Sequence, residues 1–501
     1  MVASLLKVVS SGIQDERLYT KETIFPFEKI WIKAGRFTMK WERLDFENTP
    51  TFGNTGFLKL PRKGHLITRL ILVATMPDIN TPQQLATIAN NNNPVYPQFG
   101  WTNSLGHALI SQLTCDIATT RVETMDGRLL EIMDEFNTPI EKVPIVNELI
   151  KRKENGFNSK SFGRSPNPET VCVPLPFWFS RGDPGCALPI DAIPYSDVRI
   201  GVTFRTLNGV YFTETQLPKT NQNQGDGSML YPLSGSNFYA QDPLINPGQP
   251  LQNAFGPIQM PLNLQLGDCY MMAEYVYLDQ NEANRFRLAD LHVPIVQHYA
   301  MNPYDSRGLS MARIRLDIPN PTRDIFFMCN PYMASSYNAH LLGTRDMTGT
   351  ANTQPSDIEY PWWPDAKGAS NPLGHMRSGF SLSDSEPLVG YELDYQGTFV
   401  RFRTEGPALF RSIVPGYEQR KTPYINRYYY NIPLGICNGY TPFSKPQGEA
   451  NLDKITNREL ILQFRAKSGM ATNERCMVYV YGETYNIFRV YGGRAGIMFA
   501  Y

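Results

Sequence analysis

At 501 residues the chain exceeds what one hydrophobic core usually organises, so two large domains are expected. Hydrophobic residues make up 42% and aromatics 12%, which excludes disorder throughout, and 47 Lys+Arg against 47 Asp+Glu leave no net field toward nucleic acid or an acidic membrane. Direct nucleic-acid binding is therefore not expected.

From the N-terminus, MVASLLKVVSSG lacks the small-residue cleavage pattern of a signal peptide. The strongest apolar run, LITRLILVATMP from Leu66, is broken by Arg69 before the roughly 18 apolar residues that a membrane span needs. There is no Asn-x-Ser/Thr sequon, and the seven cysteines (115, 172, 186, 269, 329, 437 and 476) stand singly, without disulfide or zinc spacing. Synthesis and use in a reducing compartment, outside the secretory route, is the expectation.

Period-two alternation predicts strands with one face on a core at Phe37, Met39 and Trp41, at Ile200, Val202 and Phe204, at Ile314, Leu316 and Ile318, and at Leu460, Leu462 and Phe464. Helical periodicity is confined to IVNELIKRK near 145–153 and QNEANRFRLADL near 280–291. With 38 glycines and 39 prolines between short strands, the class is all-β, sandwich or barrel. Between Leu207 and Gly256 the composition turns to Asn, Gln, Gly, Ser and Pro, which reads as a linker between halves of similar length. A second irregular stretch, about 330–379, carries Trp362 and Trp363 between prolines and reads as a long functional loop. The halves suggest duplication, in structure only, because no strict sequence repeat is present. In the closing stretch VYVYGETYNIFRVYGGRAGIMFAY, apolar residues fall on both parities, so both faces of that strand are expected to be covered. Arg489 within it would then need a fixed partner.

The search for chemistry returns structural readings. His292 and His298 lie six apart and read as packed or surface histidines rather than metal ligands. GGRAG at 492–496 follows a strand, but a dinucleotide site needs a helix behind it and five residues remain. Asp134-Glu135 and SDSE at 383–386 read as solvated loop charge, and Arg181-Gly182-Asp183 as a chance tripeptide in a turn before Pro184. No catalytic residue, metal ligand or cofactor is expected.

Several blocks, in order, carry a resemblance. LKLPRKGHLITRLILVATMP (58–77), WTNSLGHALI and TRVETMDGRLLEIMDEF (101–136), VPLPFWFSRGDPGCALPIDAIPYSDVRIGVTFR (173–205), EYVYLDQNEANRFRLAD (274–290), IPNPTRDIFFMCNP (318–331), KPQGEANLDKI (445–455) and the closing block resemble the major capsid proteins of nucleocytoplasmic large DNA viruses. The resemblance implies a double jelly roll, two eight-stranded antiparallel β-sandwiches in tandem with long loops and a few short helices. It divides the chain into an N-terminal arm (1–25), a first jelly roll (26–206), a linker (207–256) and a second jelly roll (257–501). It further implies a homotrimer of pseudo-hexagonal outline, neighbouring capsomers, and minor capsid proteins or a membrane beneath the shell. The location would be the virion, after synthesis in the host cytoplasm. Structural and assembly roles are expected at Arg489, Asn486, Gly492, Gly493, Gly496, Trp178, Trp362 and Trp363. The alternatives are a minor or paralogous capsid component with the same fold, and a carbohydrate-binding β-sandwich.

Overall fold

Among the described residues, sixteen of the strands fall into two sets of eight. The structure, a computed structural model, describes residues 36–78, 98–152, 169–181, 184–216, 228–231, 264–332, 338, 340–341, 343, 386–397, 399–404, 406–423, 427–436, 438–440, 446–465 and 475–499. The first set is β1 (Phe37–Asp45), β2 (Thr55–Lys59), β3 (Leu66–Met76), β4 (Ile110–Ile117), β5 (Thr120–Met125), β6 (Glu169–Pro174), β7 (Val198–Phe204) and β8 (Cys269–Leu278). These make two antiparallel sheets, β1-β8-β3-β6 and β2-β7-β4-β5. The second set is β9 (Leu291–Ala300), β10 (Met311–Arg315), β11 (Pro321–Pro331), β12 (Leu388–Tyr395), β13 (Phe399–Thr404), β14 (Tyr429–Pro433), β15 (Glu459–Phe464) and β16 (Cys476–Tyr491). Its sheets are β9-β16-β11-β14 and β10-β15-β12-β13. Both sets thus follow the order 1-8-3-6 and 2-7-4-5 of a jelly roll, so the duplication is real at the level of topology. Even a detail repeats: the fourth and fifth strands slip register at Cys115/Asp116 in one half and at Leu393/Asp394 in the other.

Two expectations are corrected here. The first sandwich does not end at 206, nor does the second begin at 257. Strand β8, residues 269–278, lies between β1 and β3 and closes the first sandwich's sheet, because a jelly roll returns its last strand beside its first. Inside the presumed linker, Tyr211–Gln216 and Ser228–Tyr231 pair with each other, and the former also with Gln98–Trp101, in a small three-stranded sheet. The polar composition misled because the hairpin is anchored in the first core by Tyr211, opposite Trp101, and the rest of its sequence is polar.

The predicted helices appear as α3 (Val143–Ile150) and α4 (Gln280–Leu288), after α1 (Leu105–Leu109) and α2 (Gly127–Asn137). Helix α2 went unread. Asp126 caps it by accepting from the Leu129 amide at 2.8 Å, and its buried face includes Glu131 and Glu135, which break the apolar stripe that periodicity detects.

Ile200, Val202, Phe204, Ile314, Leu316, Ile318, Leu460, Leu462 and Phe464 are buried as their alternation implies. Strand β1 inverts the expectation. Its register sets Leu44 beside Met271 on the inner face, whereas Phe37, Met39 and Trp41 lie beside Leu278, Val276 and Glu274 on the outer face. They are 59%, 55% and 40% exposed.

Candidate functional site

The densest chemistry of the molecule lies where the two sandwiches meet. The outer face of the β9-β16-β11-β14 sheet packs on the first sandwich through Ile295, Phe326, Met328, Tyr481, Phe488 and Val490, while Ile325, Phe327, Cys329, Val478 and Val480 fill the second sandwich's own core. Opposite it stand β5, α2 and the segment after β6: Phe136 lies 5.5 Å from Phe326 between ring centroids, and Trp178 lies 4.8 Å from Phe488. Both faces of the first half of β16 are therefore covered within one chain, while Arg489 and Tyr491 near its end stay exposed. Apolar residues occupy both parities because Val478 and Val480 face the second core while Tyr479 and Tyr481 face the first sandwich, and near Glu483 the pairing with β11 slips by one residue, Arg323 being the extra one on β11. On one side of the slip Tyr479, Tyr481 and Glu483 meet the first sandwich, and on the other Asn486, Phe488 and Val490 take over.

Two buried ionic clusters bridge this seam. In the first, Arg181 donates to Glu483 at 2.6 Å and to His298 Nε2 at 2.5 Å, and His298 Nδ1 lies 2.6 Å from Glu123. Arg323 stands 3.9 Å from the other oxygen of Glu483. Burial would raise the Glu483 carboxyl, but Arg181, His298 and Arg323 outweigh it and hold the group below the usual carboxylate range. Its neighbour Asp324 is pushed up to about 7 by burial and by the Glu483 charge, against Arg323.

The second cluster centres on Arg152, whose side chain is 1% exposed. It binds Glu131 at 2.6 Å and also Asp134, and stands 3.4 Å from Glu135. The second sandwich supplies the balance: Lys421 lies 3.0 Å from Glu135, and Arg427 pairs with the same carboxylate. His107 binds Glu131 at 2.7 Å. Three carboxylates of the first sandwich thus meet one cation of their own and two from across the seam. Burial alone would raise Glu135, yet Arg427, Lys421 and Arg152 bring it down to about 2. Glu131 and Glu135 are held ionised by these buried cations, which suits a fixed joint rather than proton transfer.

Around the clusters, Tyr481 donates to Asp126 at 2.8 Å and Arg128 lies over the Tyr479 ring at 4.0 Å. Among the described residues no group of His, Cys, Asp and Glu has the makings of a metal site.

The sequence-predicted residues divide cleanly. Trp178, buried to 1% exposure, stacks on the closing strand and its amide donates to Glu123. Asn486 donates to Gln297 Oε1 and to the Phe499 carbonyl, each at 2.7 Å, and accepts from the Ile487 and Phe499 amides. Gln297 in turn donates to the Val122 carbonyl, so Asn486 ties the end of the chain to the first sandwich. Gly492 and Gly493, with φ of 55° and 75°, form the two-residue turn between β16 and Arg494–Ile497, as a hairpin turn with two positive φ values requires. Tyr195 of the first sandwich donates its amide to the Gly493 carbonyl at 3.0 Å. Gly496 lies opposite Arg489 in this hairpin, with open space beside it. Arg489 is corrected: it is exposed, with its guanidinium 5.2 Å from the Tyr491 ring, because it lies on the parity opposite Phe488 and Val490, beyond the part of the strand that the second core covers. Trp362 and Trp363 lie outside the described residues. Gly493→Ala is expected to cost about 1–2 kcal/mol from its left-handed φ, with the new Cβ 2.9 Å from the Tyr195 ring, whereas Gly496→Ala is near neutral; thermal melting of both checks this.

Three dismissed groups proved structural. Asp134 and Glu135 are helical and paired, not loop charge, and the Arg of Arg181-Gly182-Asp183 is the cross-seam cation, with Gly182 and Asp183 outside the described residues. Glu386, the last residue of SDSE, is buried in the second core, where it accepts from Arg411 at 3.2 Å and Tyr430 at 3.1 Å. Burial pushes it up to about 7, against Arg411, Tyr430 and Arg465. Its ionisation therefore opposes folding: the wild type loses stability as pH rises from about 4.5 through about 7. Relative to Glu386→Gln, denaturant titrations across that window should show the wild type falling by up to ~3 kcal/mol. A pH-independent difference would contradict the assignment. None of these four carboxylate and arginine partners is near its mate in sequence, so alternation gave no signal for them.

With this geometry in place, comparison with known proteins is informative. Residues 26–279 match the family model described as major capsid protein N-terminus, ending one residue past β8. The major capsid protein of Phaeocystis pouchetii virus is 22% identical, and that of Pyramimonas orientalis virus 23%, each over 100% of both chains. Among solved structures, a PBCV-1 virus capsid chain superposes with a TM-score of 0.65 at 16% identity, over 95% of this chain and 100% of that one. The Faustovirus major capsid protein gives 0.61 at 11% identity, over 98% and 99%.

Proposed function

The chain belongs to the family of viral major capsid proteins, and on that premise we propose that it tiles the icosahedral shell of a large DNA virus as a homotrimeric, pseudo-hexagonal capsomer. The observation that carries this reading is the seam: two sandwiches of identical strand order, locked side by side by buried ion clusters, form one rigid building block with two similar lobes. Three such blocks in a ring present six similar lobes with only threefold symmetry. Loops leave the ends of the sandwiches, so their lengths can vary without disturbing lateral contacts. The partners on this reading are neighbouring capsomers laterally and minor capsid proteins or a membrane on the inner side, toward which residues 1–25 would reach. Its place is the virion after synthesis in the host cytoplasm. It is a structural protein rather than an enzyme.

Light scattering coupled to size exclusion, followed by negative-stain imaging, tests this. A mass of three chains with a hexagonal outline is expected; a chain that stays monomeric at high concentration would overturn it. Copy number per virion separates a major from a minor capsid component.

A further inference from the structure

Each sandwich has a first-strand edge and a fifth-strand edge, but one chain brings only one of each into its seam. Within the chain, the first-strand edge of the second sandwich, β9, packs against the fifth-strand edge of the first, β5, where Gln297 and His298 meet Val122 and Glu123. The matching elements left over are β1 of the first sandwich and β13 of the second. Both lie at the edge of their sheets in the same topological positions, and β13 has the same register slip as β5. The unused β1 face is apolar, with Phe37, Met39 and Trp41 at 59%, 55% and 40% exposure, and Val400 on β13 is 41% exposed. A contiguous outward row of a phenylalanine, a methionine and a tryptophan on an edge strand is the kind of surface that proteins cover.

We propose that the outer face of β1 receives β13 of a second copy of this chain, repeating between subunits the β9–β5 contact made within one. The contact is head-to-tail, because each copy offers β1 to one neighbour and β13 to another. This deepens the capsomer reading above and rests on it.

The test uses two variants of the full chain. Met39→Glu with Trp41→Glu removes the receiving face, and Val400→Glu with Arg403→Glu removes the inserted edge; all four side chains are exposed, and circular dichroism and melting confirm folding. Each variant alone is expected to run at the mass of one chain where the wild type is oligomeric. Mixed in equal amounts, they should form dimers, since one intact β1 meets one intact β13. If either variant keeps the wild-type mass, as it would were β1 covered by the chain's own N-terminal residues, the assignment fails while the capsomer reading stands. If both are monomeric but mixing restores nothing, the contact is not head-to-tail through these edges and the proposal also fails. A monomeric wild type would sink the capsomer reading itself. Should the double substitutions impair folding, Met39→Ser and Val400→Ser are milder versions, expected to raise the dissociation constant at least tenfold.

Discussion

Arg152→Ala should destabilise the chain by about 3–5 kcal/mol, because it leaves buried carboxylates without their shared cation. Arg152 donates to Glu131 at 2.6 Å, pairs with Asp134, and lies 3.4 Å from Glu135, with its own side chain 1% exposed. Removing it strands charge that solvent cannot reach, while Arg427 and Lys421 remain to serve Glu135 only in part. The pH dependence gives a second readout. In the wild type Glu131 and Glu135 sit below the ordinary glutamate value of 4.5, so their contribution is present above that pH and lost as pH falls through their folded values. The variant should therefore show a shallower loss between pH 4.5 and about 2, since its carboxylates are less depressed. Adding Glu131→Gln to Arg152→Ala should recover part of the stability, which a double-mutant cycle in denaturant measures. A loss under about 1 kcal/mol at neutral pH would show that the cluster is not the brace described here.

Trp178→Ala should cost a similar ~3–5 kcal/mol for a different reason, the cavity left when a fully buried indole is removed. The ring leans on Phe488 of β16 and meets Phe179 edge-on at 5.1 Å, so the cavity opens at the seam. Melting should broaden or split in this variant, with the sandwiches losing cooperativity before either core unfolds. Phe488→Ala should behave alike, and the pair should couple by roughly 0.5–1.5 kcal/mol in a cycle. Purely additive losses would mean that Trp178 stabilises the first sandwich alone.

Much of this was legible in advance because strand signals are local. Alternation located the strands around 37–41, 200–204 and 460–464 and overran the one at Met311–Arg315, and composition placed the whole among all-β sandwiches or barrels before any contact was known. Apolar residues on both parities of the closing strand announced that two surfaces cover it, and Trp178 and Asn486 both fell at that seam. What alternation cannot supply is the identity of the covered face. On β1 it found the apolar row and put it inward, yet the register with β8 turns it outward. Charge was the harder miss. Glu135 and Glu386 stand in polar-looking stretches, and only their distant partners make burial tolerable.

The sequence by itself determined the strand content, the two halves and the family order of its blocks, since each depends on neighbours a few residues apart. Tertiary structure alone decided where the first sandwich ends, which face of β1 is open, and how the seam is locked. Its pairs join residues 302 apart, Arg181 with Glu483, and 292 apart, Arg427 with Glu135. Such pairs exist only once two independently patterned sheets are set face to face, because a buried charge is stable only at the distance and orientation that packing gives it.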